Sequence, residues 1–524
     1  MSKDGNRTPR VLVIALGEAA PDLVFKWARQ GILPFLGELI RVGVSGTIVC
    51  PDPFITPQTW GSILTGTGPG HHGAFDFWQR RTDGRFQEID STHLKSPPFW
   101  HQIRAAGLRC GIVNLPLTYP PEDLPGFMIA GQDAPGAYRS IARPMDLFDQ
   151  LVARFGPYPL KEIFPGGRCK DDYLNLFGSN TQRWSDILEN LVGRSDWDFF
   201  MTFSSTTAMA QHYFWADMAS NDPDNPFATV VQQAYVALDR MIGRLTEAAG
   251  PDTQVFVISE CGAGPIRFGV EINNWLEQEG FLVHKQGLGP DSGVERRSLF
   301  AALRREAQAR LPLSAQARLN RHLRPLNTWL ENRIYGSDID WSRTKAYARG
   351  KEGQIFINLK GRESHGVVAP GREYEQVRDR LIERLLTLKD PDDGKAAVTD
   401  AHRSEDYYDG PYVRLAPDVV VCWRNGEYMP NESGSRGRGV FVERWRNSMS
   451  WPTSGSHRAE GIFLAAGPGI RRGADLIGGG ILDLAPTWLA ALGLSPPESF
   501  QGRVLSKVFE PTAPTRITAS TEVD

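Results

Sequence analysis

CPDPFITPQTWGSILTGTGPGHHG, residues 50–73, reads as an extended segment, a short helix and a glycine-rich turn. Thr56 can cap the helix, and Pro57 suits its first turn, where a backbone N–H has no partner to lose. Trp60, Ile63 and Leu64 recur at helical spacing on one side. A hydroxyl at a helix start faces orphan N–H groups and the positive end of the dipole, so it is placed either to cap or to meet an anion. Both readings of Thr56 stand at this point. GTGPGHHG lacks the Lys-Ser/Thr pair of a phosphate-binding P-loop. His71 and His72 are adjacent, so they point apart and read as structural residues.

Outward from this stretch, short apolar runs rich in β-branched residues alternate with helical patterns. RVLVIAL (10–16) reads as a central strand, followed by helices over 21–29 and 33–42. CGIVNL (110–115), DFFMTFS (198–204), TQVFVIS (253–259), PDVVVCW (417–423) and residues 461–466 are further strands. Helices fall at 100–106, 207–215, 228–249, 374–388 and 481–492. Strand-then-helix alternation predicts an α/β fold with a mostly parallel central sheet flanked by helices. Ligands of such sheets lie beyond the carboxyl ends of the strands, which directs attention to Gly17, Glu18 and Glu260-Cys261-Gly262.

The expected organisation is a flexible lead over 1–9, a first core part over 10–269, a helical, Arg-rich cap or insertion over 270–340, a second core part over 341–510 and a disordered tail over 511–524. Residues 116–180, rich in Pro and Gly, read as a long surface excursion. Residues 424–456 read as a polar loop able to cover a site.

A net charge of −3 gives no reason to expect nucleic acid or an anionic membrane surface as partner. No apolar run approaches membrane-spanning length, and the first residues lack the apolar core of a secretory signal. Five scattered cysteines without metal-finger spacing point to reduced thiols and a cytoplasmic protein. The expected partner is a small molecule, a phosphate ester or another anion. Composition leaves the oligomeric state open.

Several stretches together resemble one family. VLVIALGEAAPDLV, ITPQTWGSILTGTGPGHHGAFDFW, VISECGAGP, FINLKGRES, DGPYVRLAPDVVV, SGSHRAEGIFLAAGPGI and ILDLAPTWLAALGL follow in the order seen in the type I phosphodiesterase / nucleotide pyrophosphatase branch of the alkaline phosphatase superfamily. The resemblance implies an alkaline-phosphatase-like core. It also implies a pocket in which a Thr or Ser nucleophile at a helix start sits between two cations, usually zinc. The nucleophile position falls on Thr56, and two ligand histidines fall on His212 and His457.

Other ligand positions depart from that pattern. Gly17 and Ala208 stand where the family has Asp, and Glu260-Cys261 stands where it has Asp-His. One cation set would keep His212 and His457 without their carboxylate. The other would keep Thr56, with Glu260 and Cys261 as altered ligands and no bridging Asp. Glu18 lies one residue from the missing Asp, but a one-residue shift along a pleated strand turns a side chain to the opposite face, so Glu18 is not expected to substitute.

The candidate catalytic residues are therefore Thr56, Cys261, Glu260, His212 and His457. The last four are also the metal ligands if a cation is kept. The cofactor is either none or one divalent ion, zinc or manganese. The pattern implies a repurposed member that keeps the pocket, has lost ordinary two-metal hydrolysis, and acts on a small anionic or ester substrate by altered group transfer. A thiolate at Cys261 beside the imidazoles would supply the nucleophile, whereas a small thiol filling the place of a lost histidine is the plainer alternative. Two other functions stand beside it: an active phosphodiesterase with a rewired single-metal site, and a non-catalytic pseudoenzyme that binds or scaffolds.

Overall fold

The structure, a computed structural model, describes the chain except for residues 1–9, 82–83, 161–169, 221, 286–334, 351, 433–438, 444–452 and 512–524. The flexible lead, most of the helical insertion, parts of the polar loop and all but the first residue of the tail therefore lie outside the described residues.

Arg10–Leu16 is buried along its length apart from Arg10, because it runs through the middle of a nine-stranded sheet. The order across that sheet is Ala474–Leu476, Val44–Val49, Glu460–Ala466, Thr253–Ile258, Arg10–Leu16, Phe199–Ser204, Cys110–Val113, Gly126–Ile129 and Ala142–Arg143. Only Glu460–Ala466 and Ala142–Arg143 run against the rest. The period of two along a strand divides its side chains between faces. Leu12, Ile14 and Leu16 enter one apolar layer with helices Pro21–Arg29, Lys170–Val192, Thr206–Met218 and Val230–Ala249. Val11, Val13 and Ala15 enter the other with Thr56–Thr65, Trp100–Ala105 and Leu484–Ala491. The sheet is thus covered on both sides, as a parallel sheet must be.

The expected strands and helices are present within a few residues of their sequence boundaries. Residues 116–180 differ from the surface excursion expected of them. Gly126–Ile129 and Ala142–Arg143 extend the main sheet, and Met145–Phe155 is an amphipathic helix burying Leu147, Phe148 and Leu151. Short strands between prolines carry too little periodicity to stand out in sequence.

Residues 346–423 build a separate antiparallel sheet instead of rejoining the large one, in the order Ala346–Ala348, Ile355–Ile357, Val419–Trp423 and Val398–Arg403. Helix Arg372–Leu386 lays Val377, Leu381 and Leu385 on it. The polar stretch after 423 contributes Tyr428–Asn431 and Phe441–Val442 to a three-stranded sheet with Phe268–Glu271.

Asp418 fastens the small sheet together. Its buried carboxylate accepts from Arg362 Nη1 and Nη2 (2.7 Å each), Tyr374 Oη (2.6 Å), the Ile357 N–H (2.7 Å) and Arg80 Nη1 (3.3 Å). Arg80 belongs to the hairpin that follows the Thr56 helix, so this contact also ties the small sheet to the helix's own segment. Burial would raise the Asp418 pKa, but Arg80, Arg362 and the hydrogen bonds pull it down to about 2. A carboxylate whose folded-state pKa is depressed stabilises the fold above its unfolded value and loses that effect as pH falls through the folded value. Asp418→Ala is expected to cost about 3–5 kcal/mol at neutral pH. Chemical denaturation should show the gap to wild type widest above pH 4 and narrowing toward pH 2.

Candidate active site at the carboxyl ends of the central strands

The chain turns sharply on leaving the first strand. Four side chains hold that turn. Thr207 Oγ1 donates to the Gly17 carbonyl at 2.6 Å, and Gln211 Nε2 donates to the Glu18 carbonyl at 2.9 Å. Ser259 Oγ donates to the Ala19 carbonyl at 2.9 Å, and Tyr235 Oη accepts from the Ala20 N–H at 2.8 Å while donating to Gln211 Oε1. Under these restraints Glu18 adopts a left-handed conformation, φ +56°. A glutamate there is uncommon, and such strain persists only where the surroundings over-determine it.

The turn has a chemical result. Glu18 Oε1 lies 3.0 Å from His212 Nε2 and 3.3 Å from His457 Nδ1. Glu18 does not stand where the Asp missing at Gly17 would stand; it brings a carboxylate to the other set, beside His212 and His457, which the sequence reading did not expect. Pleat alternation governs a side chain only while the chain remains extended, and the left-handed residue ends the strand and swings the carboxylate into the pocket. Glu18, His212 and His457 offer three ligand atoms within 4.8 Å of one another.

Each histidine is set by a close approach of backbone. His212, on the helix after Phe199–Ser204, donates its Nδ1–H to the Gly455 carbonyl at 2.7 Å, which turns Nε2 toward Glu18. Gly455 must be glycine, since a Cβ there would lie 2.4 Å from the Gln211 carbonyl oxygen. His457 sits on Gly455–Arg458, which pairs antiparallel with Gly262–Pro265. That register brings the residue after Cys261 alongside and leaves Cys261 Sγ 3.6 Å from His457 Nδ1.

The electrostatics follow from burial and pairing. Burial would lower the His212 pKa, but the Glu18 charge and hydrogen bond, with the Gly455 carbonyl, raise it to about 9. Burial would raise Glu18, but the two imidazoles hold it below its ordinary value. Glu260 is pushed up to about 8 by burial and by Glu18. Its Oε2 accepts the Glu18 N–H at 3.4 Å, and it faces the Trp60 indole without a well-formed hydrogen bond.

Cys261 is also raised well above its ordinary value, by burial and then by Glu260 and Glu18. Reactive thiolates need the reverse, an electropositive and accessible setting. Its surroundings match the small buried thiol rather than the nucleophile.

Thr56 is the first residue inside helix Thr56–Thr65. Ile55 occupies the cap position, and no side chain caps the helix, so the capping reading of Thr56 is corrected. Its half-buried hydroxyl has no hydrogen-bond partner among the described residues, whereas residues 57–65 are all buried. His72 is buried against Ser62 Oγ at 3.1 Å and His71 reaches toward Asp409, so the two point apart as read from sequence.

The residues present fit one cation. Two imidazoles and a carboxylate are a donor set of catalytic zinc sites, and Glu18 Oε2 is a buried oxygen with no partner. At the family's other position, Gly17 and Ala208 offer a second cation no side-chain donor. A Cβ on Gly17 would meet Phe203 Cζ at 3.1 Å, Ala208 Cβ at 3.2 Å and the Ser204 carbonyl oxygen at 3.2 Å. Phe203 packs edge-on against Trp60, ring centroids 5.0 Å apart, so one aromatic ring, one methyl group and one carbonyl oxygen lie close to that position. Among the described residues, Glu18, His212 and His457 are the one such ligand group.

The layout defines a class: an α/β core of the alkaline phosphatase type, with polar residues gathered where the parallel strands end. The sequence matches the family described as type I phosphodiesterase / nucleotide pyrophosphatase over residues 11–446, and the chain belongs to that family. The matched segment holds every candidate site residue except His457. Solved structures share the fold. Phosphonoacetate hydrolase from Sinorhizobium meliloti 1021, in complex with phosphonoformate, is 13% identical, with a TM-score of 0.54 over 95% of this chain and 100% of that one. Murine ectonucleotide pyrophosphatase / phosphodiesterase 5 is 14% identical, with a TM-score of 0.50 over 93% of this chain and 96% of that one. No curated protein sequence matches the chain.

If the second cation's place is filled as described, Gly17→Asp overpacks it. Thermal unfolding should show a loss of about 1–3 kcal/mol. An unchanged melting temperature would mean that the place is open.

Proposed function

We propose that this protein cleaves or transfers a phosphate-ester group using a single divalent cation held by Glu18, His212 and His457, with Thr56 as the attacking hydroxyl. The observation that carries the reading is the Glu18 carboxylate standing between the two imidazoles with one oxygen unpartnered. Membership of the family supports a small phosphate-ester substrate. The reading keeps the expected loss of ordinary two-metal hydrolysis, supported by the packing around Gly17, and exchanges the expected ligands Glu260 and Cys261 for Glu18.

A bound divalent ion at this site would supply Lewis-acid stabilisation of negative charge on oxygen. The chain supplies the rest. The Gly455 carbonyl orients His212, and the four contacts on residues 17–20 fix Glu18. Helix Thr56–Thr65, buried from Pro57 onward, holds the Thr56 hydroxyl rigidly at its positive end, where an anionic phosphate is favoured. Thr56 Oγ, losing its proton to solvent, can then attack phosphorus and break the P–O ester bond, releasing the alcohol (or phenolate) as leaving group and giving a phosphothreonine that water or another acceptor clears. A cytosolic site of action belongs to this reading and is supported by buried free thiols at Cys50, Cys110, Cys261 and Cys422.

Protein purified without chelator is expected to carry close to one zinc or manganese ion per chain by elemental mass spectrometry. Glu18→Gln and His212→Ala should lose it. Thr56→Ala should keep the metal while turnover of bis(p-nitrophenyl) phosphate falls by at least about 10³-fold. Absence of metal, two ions per chain, or full turnover in Thr56→Ala would each overturn the reading.

A further inference from the structure

Glu18, His212 and His457 come from three remote segments: the turn after Arg10–Leu16, helix Thr206–Met218 and strand Gly455–Arg458. Gln211 is fully buried and touches all three. It precedes His212 on the helix, so its backbone carries that histidine directly. Its Nε2 donates to the Glu18 carbonyl at 2.9 Å. Its own carbonyl oxygen would lie 2.4 Å from a Cβ at Gly455, so the strand bearing His457 rests against it.

The direction of the Gln211 amide is decided from a fourth element. Tyr235, on helix Val230–Ala249, is buried with its ring edge-on to Trp27, centroids 5.1 Å apart. Its hydroxyl carries a single proton. Oη accepts the Ala20 N–H at 2.8 Å and gives that proton to Gln211 Oε1 at 2.9 Å, which leaves Nε2 to face the Glu18 carbonyl. A reversed amide would set donor against donor at Tyr235 and acceptor against acceptor at Glu18, a mismatch that burial makes costly. The path also begins and ends on one turn. In a γ-turn the carbonyl of one residue accepts the N–H two residues on. The Glu18 carbonyl and the Ala20 N–H stand in that relation, and Gln211 and Tyr235 are inserted between them. The two side chains thus mould the turn in the form that gives Glu18 its φ of +56° and brings Oε1 to 3.0 Å from His212 Nε2. Asp239, one helical turn beyond Tyr235, accepts the Leu36 N–H at 2.8 Å and the Phe35 N–H at 3.2 Å. Helix Val230–Ala249 is therefore itself fixed against the segment that leaves the turn.

We propose that Gln211 and Tyr235 are positioning residues of the cation site: Gln211 keeps the three ligand-bearing segments in register, and Tyr235 fixes the direction of its amide. This rests on the single-cation reading and extends it to two residues that are not ligands. Partners that orient ligands in this way govern affinity, because a site held loosely by its supporting residues binds metal poorly.

The test is calorimetric titration of zinc into chelator-stripped full-length protein, alongside thermal unfolding of the metal-free form. Tyr235→Phe keeps the ring and removes the hydroxyl, and Gln211→Met keeps the length and removes the amide. Each is expected to lower zinc affinity about ten-fold or more. Because the two residues act through one relay, the double variant is expected to lose less than the product of the single losses. Leu245→Ala, on the same helix and in the apolar layer, is the control. It is expected to lower the melting temperature while keeping wild-type zinc affinity. With cobalt(II) in place of zinc, the visible spectrum should change in both single variants and match wild type in the control. Wild type that takes up no zinc would overturn the single-cation reading and this inference with it. Wild type that binds zinc while Tyr235→Phe and Gln211→Met bind it equally well would overturn the positioning role alone. Losses that multiply in the double variant, or an equal loss in Leu245→Ala, would also overturn it.

Discussion

A buried carboxylate held between two imidazoles is the constraint to which the site answers. Glu18 is removed from water, and an ionised carboxylate in such a place persists only when opposite charge or donors surround it. His212 and His457 provide that charge from two different parts of the chain. Their convergence requires helix Thr206–Met218, strand Gly455–Arg458 and the turn after the first strand to meet at one end of the sheet. The glycine at 455 and the side chains of Thr207, Gln211, Tyr235 and Ser259 exist in this arrangement to make that meeting close enough.

A shift of one residue changes what the pocket can hold. A side chain on Gly17 would crowd Phe203, Ala208 and the Ser204 carbonyl. With the carboxylate on Glu18, Phe203 packs against Trp60 beside Gly17. Two adjacent dications repel, and need several carboxylates to offset that repulsion. On the proposed single-cation reading, the Glu18 carboxylate and the two imidazoles are the donors available to one ion. Cys261, buried beside Glu260 and Glu18 with its thiol pushed well above its ordinary value, is placed as a small buried thiol.

The two sheets divide the work. The large parallel sheet fixes Glu18, His212, Glu260 and Thr56 on or next to rigid elements, where small displacements are resisted by packing on both faces. The small sheet, clamped internally by Asp418, approaches from the side of His457. Arg80 spans both, since it follows the Thr56 helix in the chain and bonds Asp418 in space.

The order of apolar runs and helical patterns by itself determined the α/β class, the strand Arg10–Leu16 at its centre and the position of the site beyond the strand ends. These depend on periodicity and burial, which are local and repeat along the chain. The same sequence named Thr56, Cys261, Glu260, His212 and His457, of which the fold brings His212 and His457 to the Glu18 carboxylate. Tertiary structure alone decided the role of Glu18. Its side chain could be placed only once the turn's φ was known, and that angle is imposed by Thr207, Gln211, Tyr235 and Ser259, which lie about 190 to 240 residues away. It likewise decided that residues 126–143 join the sheet, because two- and four-residue strands gain their stability from partners and not from pattern. A ligand set is a property of distances between remote segments, and no linear spacing encodes them.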